Sequence, residues 1–318
     1  MHSVMPHPAT AGRAPTATPF AVGAVPVAEV AAQGAKALVG LIGSGIQRSL
    51  TPAMHEEEAR HHGLRLHYQL IDLDRTGEDA AALPGLLRAA RTMGFAGLNI
   101  TYPCKQAVLP WLDALSDEAA QMGAVNTVVF EGGRAVGHNT DGSGWAWGLQ
   151  RALPQADLSC VVLLGAGGAG AAIAHAVLRL GAQRLVVTDR EPAKADALVA
   201  ELQRAHGAAR AQAQADVRVA LQGATGLVHA TPTGMDKLPG LPLPAELLRP
   251  QLWVSEIVYF PLETALLRAA RERGCPVADG GGMAVGQAVG AFERFTGLRA
   301  DAARMDALFR RLVALRRD

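Results

Sequence analysis

Between Cys160 and Asp189 the chain passes from an apolar stretch into Gly165-Ala166-Gly167-Gly168-Ala169-Gly170, then through small and apolar residues that Gly181 stops. A second apolar stretch follows and ends on an acid. Strand, glycine turn, helix, strand, acid is the order in which backbone N–H groups and a helix N-terminus can cradle a pyrophosphate. Gly165 permits the tight turn, Gly167 lets the backbone approach the phosphates, and Gly170 lets the helix pack close to the strand. Asp189 can accept hydrogen bonds from the adenosine ribose hydroxyls of NAD and repels the 2′-phosphate of NADP. Arg190 can stack on adenine or pair with that phosphate. The motif predicts NAD as cofactor, with NADP as the alternative. A polar loop before Pro192 is the plain structural reading of Asp189 and Arg190.

Four other islands set polar residues where a packed core would take apolar ones. Ser49 and Thr51 lie just before a helix opened by Pro52, and their two hydroxyls can hold one small anion. Thr51 as a simple helix cap is the alternative. The run Asn99-Ile100-Thr101-Tyr102-Pro103-Cys104-Lys105 places Lys105 in the first turn of a helix started by Thr101 and Pro103. The field at a helix start disfavours a charged lysine, which suits proton transfer; a solvated surface lysine fits the same spacing. Asn126 and the run Asn139-Thr140-Asp141-Gly142 fall near opposite ends of an expected hairpin, with Asn139 and Asp141 as turn formers the alternative. Gly280-Gly281-Gly282-Met283, after Asp279, either admits a ligand close to backbone or ends a strand. Gln287, one turn beyond Met283, puts an amide that needs partners into a helix of small residues.

These islands need elements to carry them. Hydrophobic patterning predicts strands at 37–42, 67–73 and 95–100, with helices at 52–63, 77–93 and 103–122 between them. Segments 124–130 and 134–138 flank Glu131-Gly132-Gly133 as a hairpin. A bridging helix at 144–152 leads into the dinucleotide unit. Strands at 226–230, 252–257 and 276–278, a proline-rich loop at 234–250, and helices at 283–296 and 302–316 complete the chain. The alternation predicts an α/β fold in two domains, with mainly parallel sheets. An N-terminal α/β substrate domain would span 36–142 and be completed by helices at 283–318. A dinucleotide-binding (Rossmann) domain would span 143–282, with the active site in the cleft between the two. Residues 1–35, rich in Ala, Pro, Thr and Gly, read as a disordered tail.

Composition bounds the partners. A formal net charge of +1 offers no field for nucleic acid, and no apolar run approaches membrane-span length. Cys104, Cys160 and Cys275 make neither a metal spacing nor an even disulfide set, which points to a reduced cytoplasm, with Cys104 as ordinary packing. The run His55-Glu56-Glu57-Glu58-Ala59 is not a metalloprotease motif, because Ala59 stands where the second histidine would be; Glu57 and His61 read as a solvated face. No metal is expected. Arg310, Arg311, Arg316 and Arg317 suit the last turns of a C-terminal helix. The expected partner is a small-molecule substrate, taken by a monomer or homodimer.

In order along the chain, Ser49-Leu50-Thr51-Pro52, the Asn99 to Lys105 run, Ala124-Val125-Asn126-Thr127 and Asn139-Thr140-Asp141-Gly142 resemble the shikimate/quinate dehydrogenase family. So do the glycine turn, His229-Ala230-Thr231-Pro232-Thr233-Gly234-Met235, and Gly282-Met283 with Gln287. The likeness runs from about Lys36 onward. It is closest to the NAD-using quinate/shikimate branch, on Thr51, the run from Gly97 to Pro103, the run from Gly137 to Asp141, and Asp189. The resemblance implies hydride transfer between nicotinamide and the ring hydroxyl carbon of quinate or shikimate. It implies Lys105 and Asp141 as the catalytic pair, Ser49 and Thr51 on the substrate carboxylate, and Asn99, Thr101, Asn126 and Gln287 on ring hydroxyls. Tyr259 would line the substrate cleft, Gly280 would lie near the nicotinamide, and Thr231, Ile257 and Val258 would run along the cofactor. Two departures stand out: Thr51 where biosynthetic members commonly carry serine, and His229 where asparagine is common. A non-catalytic quinate or shikimate sensor on the same scaffold is one alternative, against which both Lys105 and Asp141 argue. A folate-linked dehydrogenase is another, against which the run from Asn139 to Gly142 argues.

Overall fold

The computed structural model describes residues 36–316, so the expected tail and Arg317 lie outside the described residues. Among the described residues, twelve strands form two six-stranded sheets. In the first, β1 (Lys36–Gly43), β2 (Arg65–Asp72), β3 (Gly97–Ile100), β4 (Ala114–Leu115), β5 (Thr127–Glu131) and β6 (Arg134–His138) take the order β2-β1-β3-β5-β6-β4. In the second, β7 (Cys160–Leu164), β8 (Arg184–Thr188), β9 (Ala211–Ala213), β10 (Gly226–His229), β11 (Trp253–Glu256) and β12 (Val277–Ala278) take the order β12-β11-β10-β7-β8-β9.

The second sheet is parallel throughout. Its strand order reverses between β7 and β10, and the crevice beyond the C-terminal ends of such a pair is where open α/β sheets bind ligands. Val161, Leu163, Leu185, Val187 and Val228 are fully or almost fully buried on these strands, as strands covered on both faces must be. The first sheet is mixed. Strands β2, β1 and β3 are parallel, but β3–β5 and β5–β6 are antiparallel. The β5–β6 hairpin turns through Gly132 and Gly133 at φ +54° and +79°, a conformation glycine adopts without strain.

Of two long helices expected from hydrophobic periodicity, one is shortened and the other broken. Within 77–93, a 3₁₀ turn at Ala80–Ala82 runs into the helix proper, Leu83–Thr92, with Pro84 in its first turn. Segment 103–122 holds one turn at Cys104–Ala107, a 3₁₀ turn at Leu109–Trp111, strand β4, and a helix at Asp117–Met122. Pro110 cannot continue a helix, and Ser116 starts a new one by accepting the Ala119 N–H.

The bridging helix, Asp141–Ala152, joins the sheets and crosses the return helix, Gly280–Thr296, almost backbone to backbone. A Cβ on Gly144 would fall 2.4 Å from the Gln287 nitrogen, and one on Gly148 would fall 2.7 Å from the Gly282 carbonyl carbon. The return helix begins in the core of the second sheet, through Met283, and ends in that of the first, through Ala291 and Phe295 beside Val39, Leu41 and Tyr68. The expected domain boundary at 282/283 thus falls inside one helix.

Candidate active site

The glycine turn is built for close backbone approach. Gly165 has φ +104°, and a Cβ there would lie 2.7 Å from the Ala230 oxygen and 3.0 Å from Thr231 Cγ2. A Cβ on Gly170 would meet the Gly165 oxygen at 2.0 Å, whereas Gly167 and Gly168 face open space. The helix Gly168–Arg179 follows with no side-chain cap, so its first N–H groups remain available to an anion. The Asp189 carboxylate accepts the Ala166 N–H (2.8 Å) and the Glu191 N–H (2.9 Å), which fixes it beside the turn. Arg190 is exposed at the rim. On the other side of the crevice, a Cβ on Gly280 would fall 2.4 Å from the Val258 oxygen and 2.7 Å from that of Ile257. Two clusters result: Gly165, Ala166, Asp189 and Thr231 around the turn, and Ile257, Val258 and Gly280 beyond β11. Glycines opening onto free space, an uncapped helix start and a fixed acid at the next strand end fit a dinucleotide.

Lys105 and Asp141 meet. The Lys105 Nζ donates to Asp141 Oδ2 at 2.5 Å, with Asp141 buried and Lys105 about one-fifth exposed. Asp141 opens the bridging helix and is held at every polar atom: Oδ1 accepts Asn126 Nδ2 (2.9 Å), and its N–H donates to Asn139 Oδ1 (2.9 Å). The Asn139 amide donates in turn to the Ala124 oxygen, and the Lys105 carbonyl accepts the Val125 N–H. Both members of the pair therefore hang on residues 124–126. Two expectations change here. The Lys105 helix is a single turn of four residues, too short to carry the expected field. Asn126 and Asp141 do not lie at opposite ends of the hairpin; both sit at its open end, in hydrogen-bond contact.

Asn126 is the hub of a wider network. Its Oδ1 accepts the Thr140 N–H and the Thr127 hydroxyl, and Asn99 Nδ2 donates to Thr127 Oγ1 and to the Asn126 oxygen. Tyr68 donates its hydroxyl to Asn99 Oδ1 at 2.7 Å. The Thr140 hydroxyl donates to the Gln287 carbonyl (3.2 Å), tying the network to the return helix. Tyr68 was not singled out from sequence, where it is one aromatic in an alternating strand. Thr127 and Thr140 lay inside the quoted motifs as spacers. Burial pushes the Tyr259 phenol pKa up, and the negative charge of Asp141 pushes it further; its ring stacks at a tilt on Phe260 and Phe309. The Tyr68 phenol is pushed well up, by burial first and then by Tyr259.

Ser49, Thr51, Thr101 and Gln287 complete the set expected to meet the substrate. Thr51 is the first helical residue rather than a cap; Ser49 Oγ accepts its N–H (3.2 Å) and donates to its hydroxyl (3.1 Å). The two hydroxyls are thus adjacent, as their spacing predicts. Thr101 follows β3 and donates its N–H to Ile42. Gln287 is half-buried, and its side-chain amide makes no hydrogen bond among the described residues. Cys104 is buried, and burial pushes its thiol pKa up, as a packing residue requires. Among the described residues, no cluster of three or more His, Cys, Asp or Glu is arranged to hold a metal, and no helix is long and apolar enough to cross a membrane.

The chain is similar to known proteins. Residues 41–128 match the family model described as the shikimate dehydrogenase substrate binding domain. A shikimate dehydrogenase (NADP(+)) of Streptomyces avermitilis is 60% identical over 270 residues, covering 84% of this chain and 93% of the relative. The chain belongs to the shikimate dehydrogenase family. A quinate/shikimate dehydrogenase (NAD(+)) of Corynebacterium efficiens is 48% identical, covering 86% of this chain and 97% of the relative. The solved structure of a quinate dehydrogenase from Corynebacterium glutamicum in complex with NAD superposes with a TM-score of 0.81 at 45% identity, over 86% of this chain and 98% of that one. These matches support the enzyme reading and not the sensor or folate-linked alternatives.

Proposed function

We propose that the chain interconverts shikimate and quinate with their ring ketones using a nicotinamide dinucleotide, and that it prefers NAD. The observation that carries this reading is the Lys105–Asp141 pair, held at 2.5 Å where the bridging helix leaves the first sheet for the second. When bound, NAD(P) supplies the hydride acceptor for oxidation. Lys105 Nζ takes the proton of the reacting hydroxyl as the ring carbon is oxidised, and returns it to the alkoxide oxygen in reduction. Asp141, fixed by Asn126 and Asn139, orients the lysine and binds the same hydroxyl. Ser49 and Thr51 hold the substrate carboxylate, and Asn99, Thr101, Asn126, Tyr259 and Gln287 line the ring. Asn126 also acts as a positioning residue, because its amide spans Asp141 and Thr140.

NADP-using and NAD-using relatives both match, so Asp189 decides the preference. Its fixed carboxylate suits ribose hydroxyls and repels a 2′-phosphate. The substrate domain is residues 36–142 with 283–318, and the dinucleotide domain is 143–282. Three free, buried cysteines fit a reduced cytoplasm, as a monomer or homodimer. Initial rates with both acids and both cofactors test the reading. Activity on both acids with NAD favoured is expected. A preference for NADP overturns the Asp189 assignment, and no turnover of quinate at high concentration overturns the dual substrate.

A further inference from the structure

One buried chain of polar side chains is not used by the mechanism above. His229 ends β10 and Glu256 ends β11, the neighbouring strand, and both are almost wholly buried. His229 Nδ1 lies 2.9 Å and 3.0 Å from the two Glu256 carboxylate oxygens, and its Nε2 lies 2.5 Å from Thr231 Oγ1. The proton positions follow from the partners. Glu256 also accepts the Ile257 N–H (2.8 Å), the Val258 N–H (3.0 Å) and the Thr264 hydroxyl (3.0 Å), so it acts as an acceptor and His229 Nδ1 donates to it. Thr231 Oγ1 accepts the Thr233 N–H (3.3 Å) as well as sharing a hydrogen bond with His229 Nε2. The Thr231 methyl meanwhile fills the space beside Gly165.

We infer that Glu256, His229 and Thr231 form a positioning relay that sets cofactor affinity by locking the glycine turn to the Ile257–Val258 wall. The inference rests on the dinucleotide reading above. Each member has one task. Thr231 is wedged against the turn and presents an oxygen of fixed orientation. His229 spans the two strand ends. Glu256 gathers the two wall amides and the cap of the helix Ala265–Glu272. Asparagine, common in the family at position 229, could imitate Nδ1 but could not reach Thr231, so the relay is a property of this chain's histidine.

The test is NAD dissociation constants by titration, with melting temperatures, for wild type, Thr231→Val, Thr231→Ser, His229→Asn and the double variant His229→Asn/Thr231→Val. Thr231→Val keeps the methyl beside Gly165 and removes the hydroxyl, and His229→Asn keeps the Glu256 contact and removes the Thr231 contact. Each single change should weaken NAD binding about tenfold, as the loss of one buried hydrogen bond does, with the KM for shikimate at saturating NAD unmoved. The double variant should be no weaker than either single, since both remove the same bond. Thr231→Ser, which keeps the hydroxyl and loses only the methyl beside Gly165, should bind NAD more tightly than Thr231→Val. Thr231→Val binding NAD like wild type, or the two effects adding in the double variant, overturns the relay. A wild-type protein that binds neither NAD nor NADP overturns the functional reading instead.

Discussion

His55 lies on the inner side of the helix Thr51–His61, fully buried, with neither ring nitrogen hydrogen-bonded among the described residues. Its ring meets Tyr68 at 5.0 Å between centroids and leans on Phe292 and Phe295. Burial pushes its pKa from 6.5 down to about 3. The linkage sign follows. Between these two values the unfolded chain binds a proton that the folded chain refuses, so stability is full above pH 6.5 and is lost as pH falls. Each pH unit costs about 1.4 kcal/mol, so moving from pH 6.5 to pH 5 removes about 2 kcal/mol through this one group. His55→Leu abolishes the titration with little change in volume. Urea unfolding of wild type and variant at pH 7.5 and pH 5 isolates the effect, because every other titrating group is common to both proteins. The variant should lose about 2 kcal/mol less than wild type across that interval, and at pH 7.5 it should be at least as stable, having shed two unsatisfied polar atoms. Equal losses in the two proteins refute the reasoning.

Lys105→Ala should lower turnover about 10²- to 10⁴-fold while leaving the NAD dissociation constant near wild type, and adding Asp141→Asn should cost far less than the product of the two single effects. Asp189→Ala should weaken NAD use and relax discrimination against NADP by about 1–3 kcal/mol, read as the ratio of kcat/KM for the two cofactors. Gly144→Ala would put a methyl 2.4 Å from the Gln287 nitrogen, so urea unfolding should show a loss of about 1–3 kcal/mol and the shikimate KM should rise as Gln287 is displaced. Thr51→Ser should change the ratio of quinate to shikimate turnover more than their sum, measured as initial rates on each acid.

The dinucleotide unit was legible because it is local. Gly165, Gly170 and Asp189 act through backbone geometry within one strand–turn–helix–strand segment, and such geometry restricts which residues fit. The pairing of Lys105 with Asp141 was legible only through the resemblance. From spacing alone Lys105 also fitted a surface lysine, because the contact spans 36 positions and depends on how β3, β5 and β6 pair. The surroundings of Lys105 were misread for a physical reason. Apolar periodicity over 103–122 continues through Pro110 and Ser116, but a proline ring interrupts a helix and a capping hydroxyl begins a new one whatever the periodicity says. Tyr68, Thr140 and the Glu256 carboxylate gave no signal, since a buried hydrogen bond between distant strands leaves no spacing to read.

The network also decides what can move against what. Asp141 is bound to residues 126 and 139 of the first sheet, yet it opens the helix that leads into the second. Glycine contacts bring that helix and the return helix backbone to backbone, and the Thr140–Gln287 bond places a substrate-side amide on the same body. Lys105, Asp141, Asn126 and Gln287 therefore form one rigid group, while the glycine turn, Asp189 and the Ile257–Val258 wall belong to the other sheet. Side chains reach across at several points: Arg179 donates to Glu118 at 2.8 Å, and Phe260 packs in one cluster with Leu50 and Met54. Arg48 also meets Asp236 at 3.6 Å on the surface, an exposed pair that costs little to break. Under the proposed function, the proton-transfer pair is carried by the first sheet and the wall for the cofactor by the second, so the separation of the two sheets sets how closely ring carbon and nicotinamide approach.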